Sequence, residues 1–261
     1  MMEDGKMPKF AANLSMLFVD VPMEERFSAA AQAGFTGVEI QFPYAWDKAL
    51  LSARKQSAGV SVVLHNLPAG DWDAGERGIA CIPGREKEFR EGVALAIAYA
   101  KALGSPRLNC LAGIKPAAVS DEQAWFTLIE NLRYAAHKLD EQGIVLTLEA
   151  INSLDVPGFL ISSTDSALRA IQLSGVKNIE YQYDIYHMQV MEGDLVRTIK
   201  HHLDTIGHIQ FADNPGRHQP GTGEINFAYV FSQLDEMGYQ GWVSAEYIPL
   251  GNTRETLEWL H

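Results

Sequence analysis

The stretch IVLTLEAIN (144–152) decides the fold. Ile144, Val145, Leu146 and Leu148 are β-branched or apolar, the composition of a strand covered on both faces. Strands of that kind belong to parallel sheets, whose crossover helices lie over each face. The run then delivers Glu149, and a glutamate is almost never fully buried without a partner. A carboxylate at the tip of one strand is an ordinary solvated end. It gains meaning if other strands end in the same way.

On both sides of this stretch the chain alternates short apolar runs with amphipathic ones. The expected strands are KFAANL (9–14), GVEIQ (37–41), VSVVLHN (60–66), RLNCLAG (107–113), the opening stretch, NIEYQYD (178–184), HIQFAD (208–213) and WVSAE (242–246). Helical patterns separate them. One opens at Pro22 and closes at Gly34, one runs from Trp46 to Ala58 before Gly59, and a long one covers 84–104. Ser120 caps the next, to about Gln142, and others cover 163–175, 192–207 and 227–238. A short helix from Thr253 to Leu260 finishes the chain. Eight alternating units imply a parallel sheet, and eight in about 250 residues match a closed (β/α)8 TIM barrel. An open doubly wound sheet would show fewer units, and its Gly-rich phosphate signature is missing from the first strand–helix turn, LSMLFVDVP (14–22). No linker or composition shift divides the chain. One domain is expected over 7–261, with Met7 as the expected start because the first six residues carry no pattern.

The net charge of −12, from 21 Lys and Arg against 33 Asp and Glu, works by exclusion. A nucleic-acid partner calls for a dense basic surface, and no basic run exists. No apolar run approaches the roughly 20 residues of a membrane span, and the MMEDGKMPKF start lacks a signal-peptide core. Cys81 and Cys110 lie far apart without paired spacing, so neither a disulfide framework nor a zinc knuckle is implied. A reducing, cytoplasmic setting is expected. Assembly as a monomer or a homo-oligomer stays open.

In such a barrel the active site lies at the carboxyl ends of the strands. Those ends offer Glu39, then His65 with Asn66, Glu149, Asp184 with His187 a turn later, Gln210 with Asp213, and Glu246. Each has an ordinary reading as a solvated end, a helix cap or a satisfied structural residue. Together they crowd five carboxylates onto one rim, where mutual repulsion and desolvation call for a cation. The last four strands each end in an oxygen donor: Glu149, Asp184, Gln210 and Glu246. An all-oxygen set suits Mg2+ or Mn2+ over Zn2+. His187 is then free to contact substrate or steady a ligand.

The sequence also resembles the hydroxypyruvate isomerase and 2-oxo-tetronate isomerase family of xylose-isomerase-like barrels. The resemblance rests on FAANLSMLF (10–18), PAGDWDAGERGIACIPGRE (68–86), LEAIN (148–152), YDIYHMQ (183–189), HIQFADNPGRHQPGTGEIN (208–226) and GYQGWVSAEY (238–247). It implies a metal held by Glu149, Asp184, Gln210 and Glu246, with the two glutamates as the acid/base pair and with His187 and Arg217 on the substrate. Gln210 favours the isomerase branch, since related sugar epimerases carry histidine there. His65, apolar in some relatives, and Arg85, at the mouth with GERG (75–78), complete the expected substrate-binding set. A loop salt bridge is the other reading of Arg85. The implied reaction interconverts hydroxypyruvate and tartronate semialdehyde, or a related 2-oxo-tetronate, through an enediol. The substrate would be a small hydroxy or oxo acid. Arg217 offers its carboxylate a planar fork. A ketose 3-epimerase is the rival within the superfamily. An apurinic endonuclease-like phosphodiesterase, which would need zinc-binding histidines, and a non-catalytic barrel stand further off.

Overall fold

The computed structural model describes residues 8–260; Met7 and His261, the limits of the expected domain, lie outside them. Eight parallel strands close into a barrel in chain order: β1 (Lys9–Asn13), β2 (Gly37–Ile40), β3 (Ser61–Asn66), β4 (Arg107–Cys110), β5 (Val145–Glu149), β6 (Ile179–Asp184), β7 (Ile206–Phe211) and β8 (Trp242–Ala245). β8 returns to pair with β1, so no sheet edge is left open. The connecting helices are α1 (Met23–Gln32), α2 (Lys48–Ala58), α3 (Glu86–Leu103), α4 (Asp121–Asp140), α5 (Thr164–Ser174), α6 (Ile185–Met191), α7 (Leu195–His201) and α8 (Phe227–Glu236). Asp47, Ser120, Ser163 and Asn226 cap α2, α4, α5 and α8 with side-chain oxygens, satisfying amides that the first turn leaves free. The apolar faces of the helices meet the outer faces of the strands in one continuous core. At the amino-terminal end Ala11, Val63 and Leu64 pack against Trp242 and fill the bore. Gly37 makes room for that indole, since a Cβ there would lie 2.5 Å from its Cζ3 atom.

Three details depart from the sequence pattern. The helix expected over 192–207 is shorter, α7 and a 3-10 turn over Leu203–Thr205 before β7 starts at Ile206, and an additional helix, α6, precedes it directly after Asp184. Asp184 is the reason, because its Oδ1 accepts the Tyr186 amide and caps a helix at the strand tip. The expected carboxy-terminal helix consists of two 3-10 turns, Thr253–Thr256 and Glu258–Leu260. Trp259 in the second turn seats its ring edge-on to Phe10 and Phe211, 5.1 and 4.9 Å away, which anchors the segment without a full helix. β3 carries Val63 as an extra residue opposite β2, since Val38 pairs with Val62 but Glu39 pairs with Leu64.

Candidate active site

Above the apolar plug the bore turns polar. Glu39 accepts from Asn13, Gln210 and His208, at 2.8 Å in each case, and is fully buried. Gln182 donates to Gln210 Oε1 (2.6 Å), and Asn109 donates to Glu149 Oε2 (2.8 Å). This layer fixes the residues that face the cavity above it. Because Glu39 accepts from the NH2 of Gln210, the carbonyl oxygen of that amide lies on its other side, where it takes the Gln182 donor and keeps one lone pair free.

The cavity holds about 130 Å3 and is lined by Glu149, Glu246, His187, Arg217, Arg77, Trp72 and Asp155, among others. A wider hollow of about 710 Å3 shares Asp155 and Arg217 with it. Glu149 ends β5, Asp184 ends β6 and Glu246 follows β8, so three buried carboxylates come together from separate strands. Burial raises all three: Glu246 is pushed up to about 8 and Asp184 to about 6. Glu149 moves well above the usual carboxylate range, from burial first and then from repulsion by Glu246 and Asp184. Arg217 opposes these shifts. Its Nη2 lies 2.6 Å from Glu246 Oε2 and 3.5 Å from Asp184 Oδ2. Its backbone sits at φ 57°, a left-handed conformation costly to a residue with a Cβ and concentrated at functional sites.

One arginine among three carboxylates leaves an excess of negative charge. Asp184 Oδ2 is buried and accepts no hydrogen bond, and a buried anionic oxygen without a donor is costly. The donors present are hard oxygens, which fit a divalent cation such as Mg2+ or Mn2+. Ligand atoms of Glu149, Asp184 and His187 all lie within 4.8 Å of one another. The set expected from the sequence, Glu149, Asp184, Gln210 and Glu246, differs by exchanging His187 for Gln210 and Glu246.

Most expected residues meet here, and three do not. His65 is buried on the opposite side of its strand. The extra Val63 in β3 shifts the alternation, so Leu64 and Asn66 face the bore and His65 faces the helices, against the ring of Tyr44 at 6.1 Å. Neither ring nitrogen makes a well-formed hydrogen bond, and burial, opposed only weakly by the Ala96 backbone, pushes the imidazole down to about 3. Arg85 takes its other reading. It pairs with Glu76 and, at 2.6 Å, with Glu88, clipping the loop after β3 onto α3 and leaving Arg77 to line the cavity beside Trp72. Gly78 lets that loop cross β4's end, since a Cβ there would sit 2.3 Å from the Leu111 carbonyl oxygen. Asp213 accepts four backbone amides, from Asn214, Gly221, Gly223 and Ile225, and so folds the loop that presents Arg217. Arg77, in the GERG segment expected at the mouth, does line the cavity, whereas Asn152, Asp155 and Tyr186 belong to the site without being expected from sequence. They sit on loops or short helices, where no strand period points to them.

The profile of the xylose isomerase-like TIM barrel family matches residues 27–261. The chain is 54% identical over 254 residues to hydroxypyruvate isomerase of Escherichia coli K12, covering 97% of this chain and 98% of that one. It is 41% identical to 2-oxo-tetronate isomerase of Cupriavidus necator, with the same coverage. A crystal structure from Brucella melitensis, described as an AP endonuclease of family 2, superposes with a TM-score of 0.95 at 44% identity, over 97% of this chain and 98% of that one. The chain belongs to the xylose isomerase-like TIM barrel family and, within it, to the group of the hydroxypyruvate and 2-oxo-tetronate isomerases.

Proposed function

We propose that the protein is a metal-dependent isomerase that interconverts hydroxypyruvate and tartronate semialdehyde, or a related 2-oxo-tetronate, by proton transfer between Glu149 and Glu246. The observation that carries this reading is that Glu149 and Glu246 face one small cavity from separate strands, with the buried Asp184 beside them and its Oδ2 left without a donor. A volume of about 130 Å3 is well below the roughly 300–1,000 Å3 of sites for drug-sized ligands. The carboxylates thus face a narrow inner cavity that accommodates the reacting carbons of a small acid, with the wider hollow lying outside it.

The two acids of the pair differ by one carbon-bound proton and one hydroxyl proton. One glutamate takes a proton from the hydroxymethyl carbon, and the electrons of that C–H bond form the enediol double bond as the carbonyl pair moves onto oxygen. The other glutamate delivers a proton to the former carbonyl carbon, while the hydroxyl proton passes between the two oxygens. Burial lifts both glutamates above the usual carboxylate range, the direction that suits a group exchanging a proton with carbon. A divalent cation held by Glu149, Asp184, Gln210 and Glu246 would polarise the carbonyl and hydroxyl oxygens as a Lewis acid. Arg217 keeps Glu246 and Asp184 in balance, and its buried Nε, which has no partner, is available to the substrate. The aliphatic and aromatic walls, Leu111, Ile151 and Trp72, limit water around the enediol.

The test is an assay of the purified protein, supplied with Mg2+ or Mn2+, against hydroxypyruvate, 2-oxo-tetronates and ketohexoses. Turnover of the acids is expected. Epimerisation of a ketohexose with the acids left untouched would overturn the proposal.

A further inference from the structure

We infer that Asn152 is a positioning residue that locks His187 in the tautomer carrying its proton on Nε2, the nitrogen that faces Glu149 and Asp184. The argument rests on how the four hydrogen-bonding sites of one side-chain amide are used. Asn152 is fully buried just after β5, and its Oδ1 accepts the backbone amides of Leu154 (3.1 Å) and Asp155 (2.8 Å). Its Nδ2 donates to Asp155 Oδ2 (3.0 Å) and to His187 Nδ1 (2.7 Å). All four positions of the amide are thereby filled. Turning it over would set its oxygen against a carboxylate and its NH2 against two backbone N–H groups, which fixes the orientation by chemistry. Asp155 is itself held by Tyr186, whose hydroxyl donates to Oδ2 at 2.8 Å.

A donor aimed at Nδ1 requires a lone pair there, so the ring proton resides on Nε2. Nε2 lies 3.5 Å from Asp184 Oδ2 and 3.8 Å from Glu149 Oε1. Neither distance is a hydrogen bond, so Nε2–H is available to an oxygen of a bound molecule. His187 is therefore a donor toward the substrate and has no lone pair to offer a metal, although it falls within the tight ligand cluster. That returns the metal to the oxygen set. The consequence for turnover rests on the isomerase reading; the tautomer itself does not.

The experiment has two arms. In metal-free, substrate-free protein with 15N-labelled histidine, long-range proton–nitrogen correlation reads both ring nitrogens of His187, assigned by their loss in His187→Gln. The wild type is expected to show a bare Nδ1 and a protonated Nε2, and Asn152→Ala is expected to release the ring into a mixture of tautomers. In the second arm Asn152→Ala is assayed on whichever substrate the wild type turns over, with kcat expected to fall about 10²-fold, the cost of losing one preorganised donor. A protonated Nδ1 in the wild type overturns the inference even if Asn152→Ala does not fold. So does an unchanged tautomer in Asn152→Ala, or an unchanged kcat once the tautomer has been released. A protein that turns over none of the acids but shows the expected wild-type spectrum would defeat the isomerase reading and leave the tautomer lock standing.

Discussion

Glu149→Gln and Glu246→Gln each keep shape and a carbonyl oxygen but cannot take up or release the transferred proton. Each is expected to lose about 10²–10⁴ in kcat while its melting temperature stays near or above the wild-type value, since both carboxylates are buried at a cost. Near wild-type turnover at saturating metal would remove that glutamate from the pair. For Arg217→Ala we expect a loss of roughly ten- to a hundredfold in kcat/KM on hydroxypyruvate, because each charge-assisted hydrogen bond is worth about 1.5–3 kcal/mol. The loss should shrink for an analogue with an alcohol in place of the carboxylate. Equal losses on both would confine Arg217 to balancing Glu246 and Asp184. His65 gives a stability prediction with a definite sign. The folded state keeps its imidazole neutral down to about 3, whereas the unfolded chain takes up that proton near 6.5. Its contribution is therefore complete above about 6.5 and drains away as pH falls toward 3, at about 1.4 kcal/mol per unit. His65→Leu should flatten that part of the pH–stability curve and, by removing two buried ring nitrogens without partners, raise stability at pH 7 by about 1–3 kcal/mol. Melting curves of the two proteins between pH 4 and 7 check both effects, and a destabilised variant with an unchanged acid slope would refute the account of His65. The residue-scale reading from sequence reached Glu149, Asp184, His187, Gln210, Arg217 and Glu246 because each terminates a strand or sits in a long motif. It missed the amides of Asn13, Asn109, Asn152 and Gln182, which act by filling hydrogen bonds. Such a role is visible only once the partner strands are in place.

At the scale of elements, the loop between β7 and α8 is held by one side chain. Four backbone amides converge on Asp213, and an asparagine there offers a single acceptor oxygen while adding two donors. Asp213→Asn should leave at least two buried amides unmatched and free Arg217. We expect a loss of at least about tenfold in kcat/KM, with faster amide exchange across 214–224 and little change around β5. Unaltered exchange in that loop would show that the four amides do not depend on the carboxylate. The boundaries of most helices were legible because stop signals are local: Gly59, Gly104 and Gly175 each adopt the left-handed backbone that ends a helix. The extra residue in β3 was not legible. A bulge is a mismatch between two strands, and nothing within VSVVLHN (60–66) records what β2 places opposite it. His65 is expected at the site because it lies near the end of its strand, and the bulge turns that position away from the bore. Asp184 reads from sequence as a site residue or as a helix cap, and it caps α6 while its other oxygen lies 3.5 Å from Arg217.

The whole molecule follows from the cadence of strand and helix, and that was the most legible level. Eight short apolar strands must bury both faces, and a closed parallel barrel does so without an edge. Closure aims the eight strand ends at one place, so the chain's acidic excess, harmless over most of the surface, becomes concentrated at one rim. No helix among the described residues is long and apolar enough to cross a membrane. Removing divalent cations by chelation is expected to abolish turnover, and Mg2+ or Mn2+ to restore it; full activity in stripped protein would contradict the oxygen-ligand assignment. The central claim, that a proton passes between adjacent carbons by way of two glutamates, is tested most directly by following hydroxypyruvate with the metal-supplied enzyme in D2O by proton NMR. With two separate glutamates, the one that delivers has exchanged with solvent, so the tartronate semialdehyde formed should carry deuterium on the carbon that was the carbonyl. Product that keeps full protium at that carbon would mean the same hydrogen was carried across, as hydride or on a single shielded base, and would contradict the Glu149–Glu246 account.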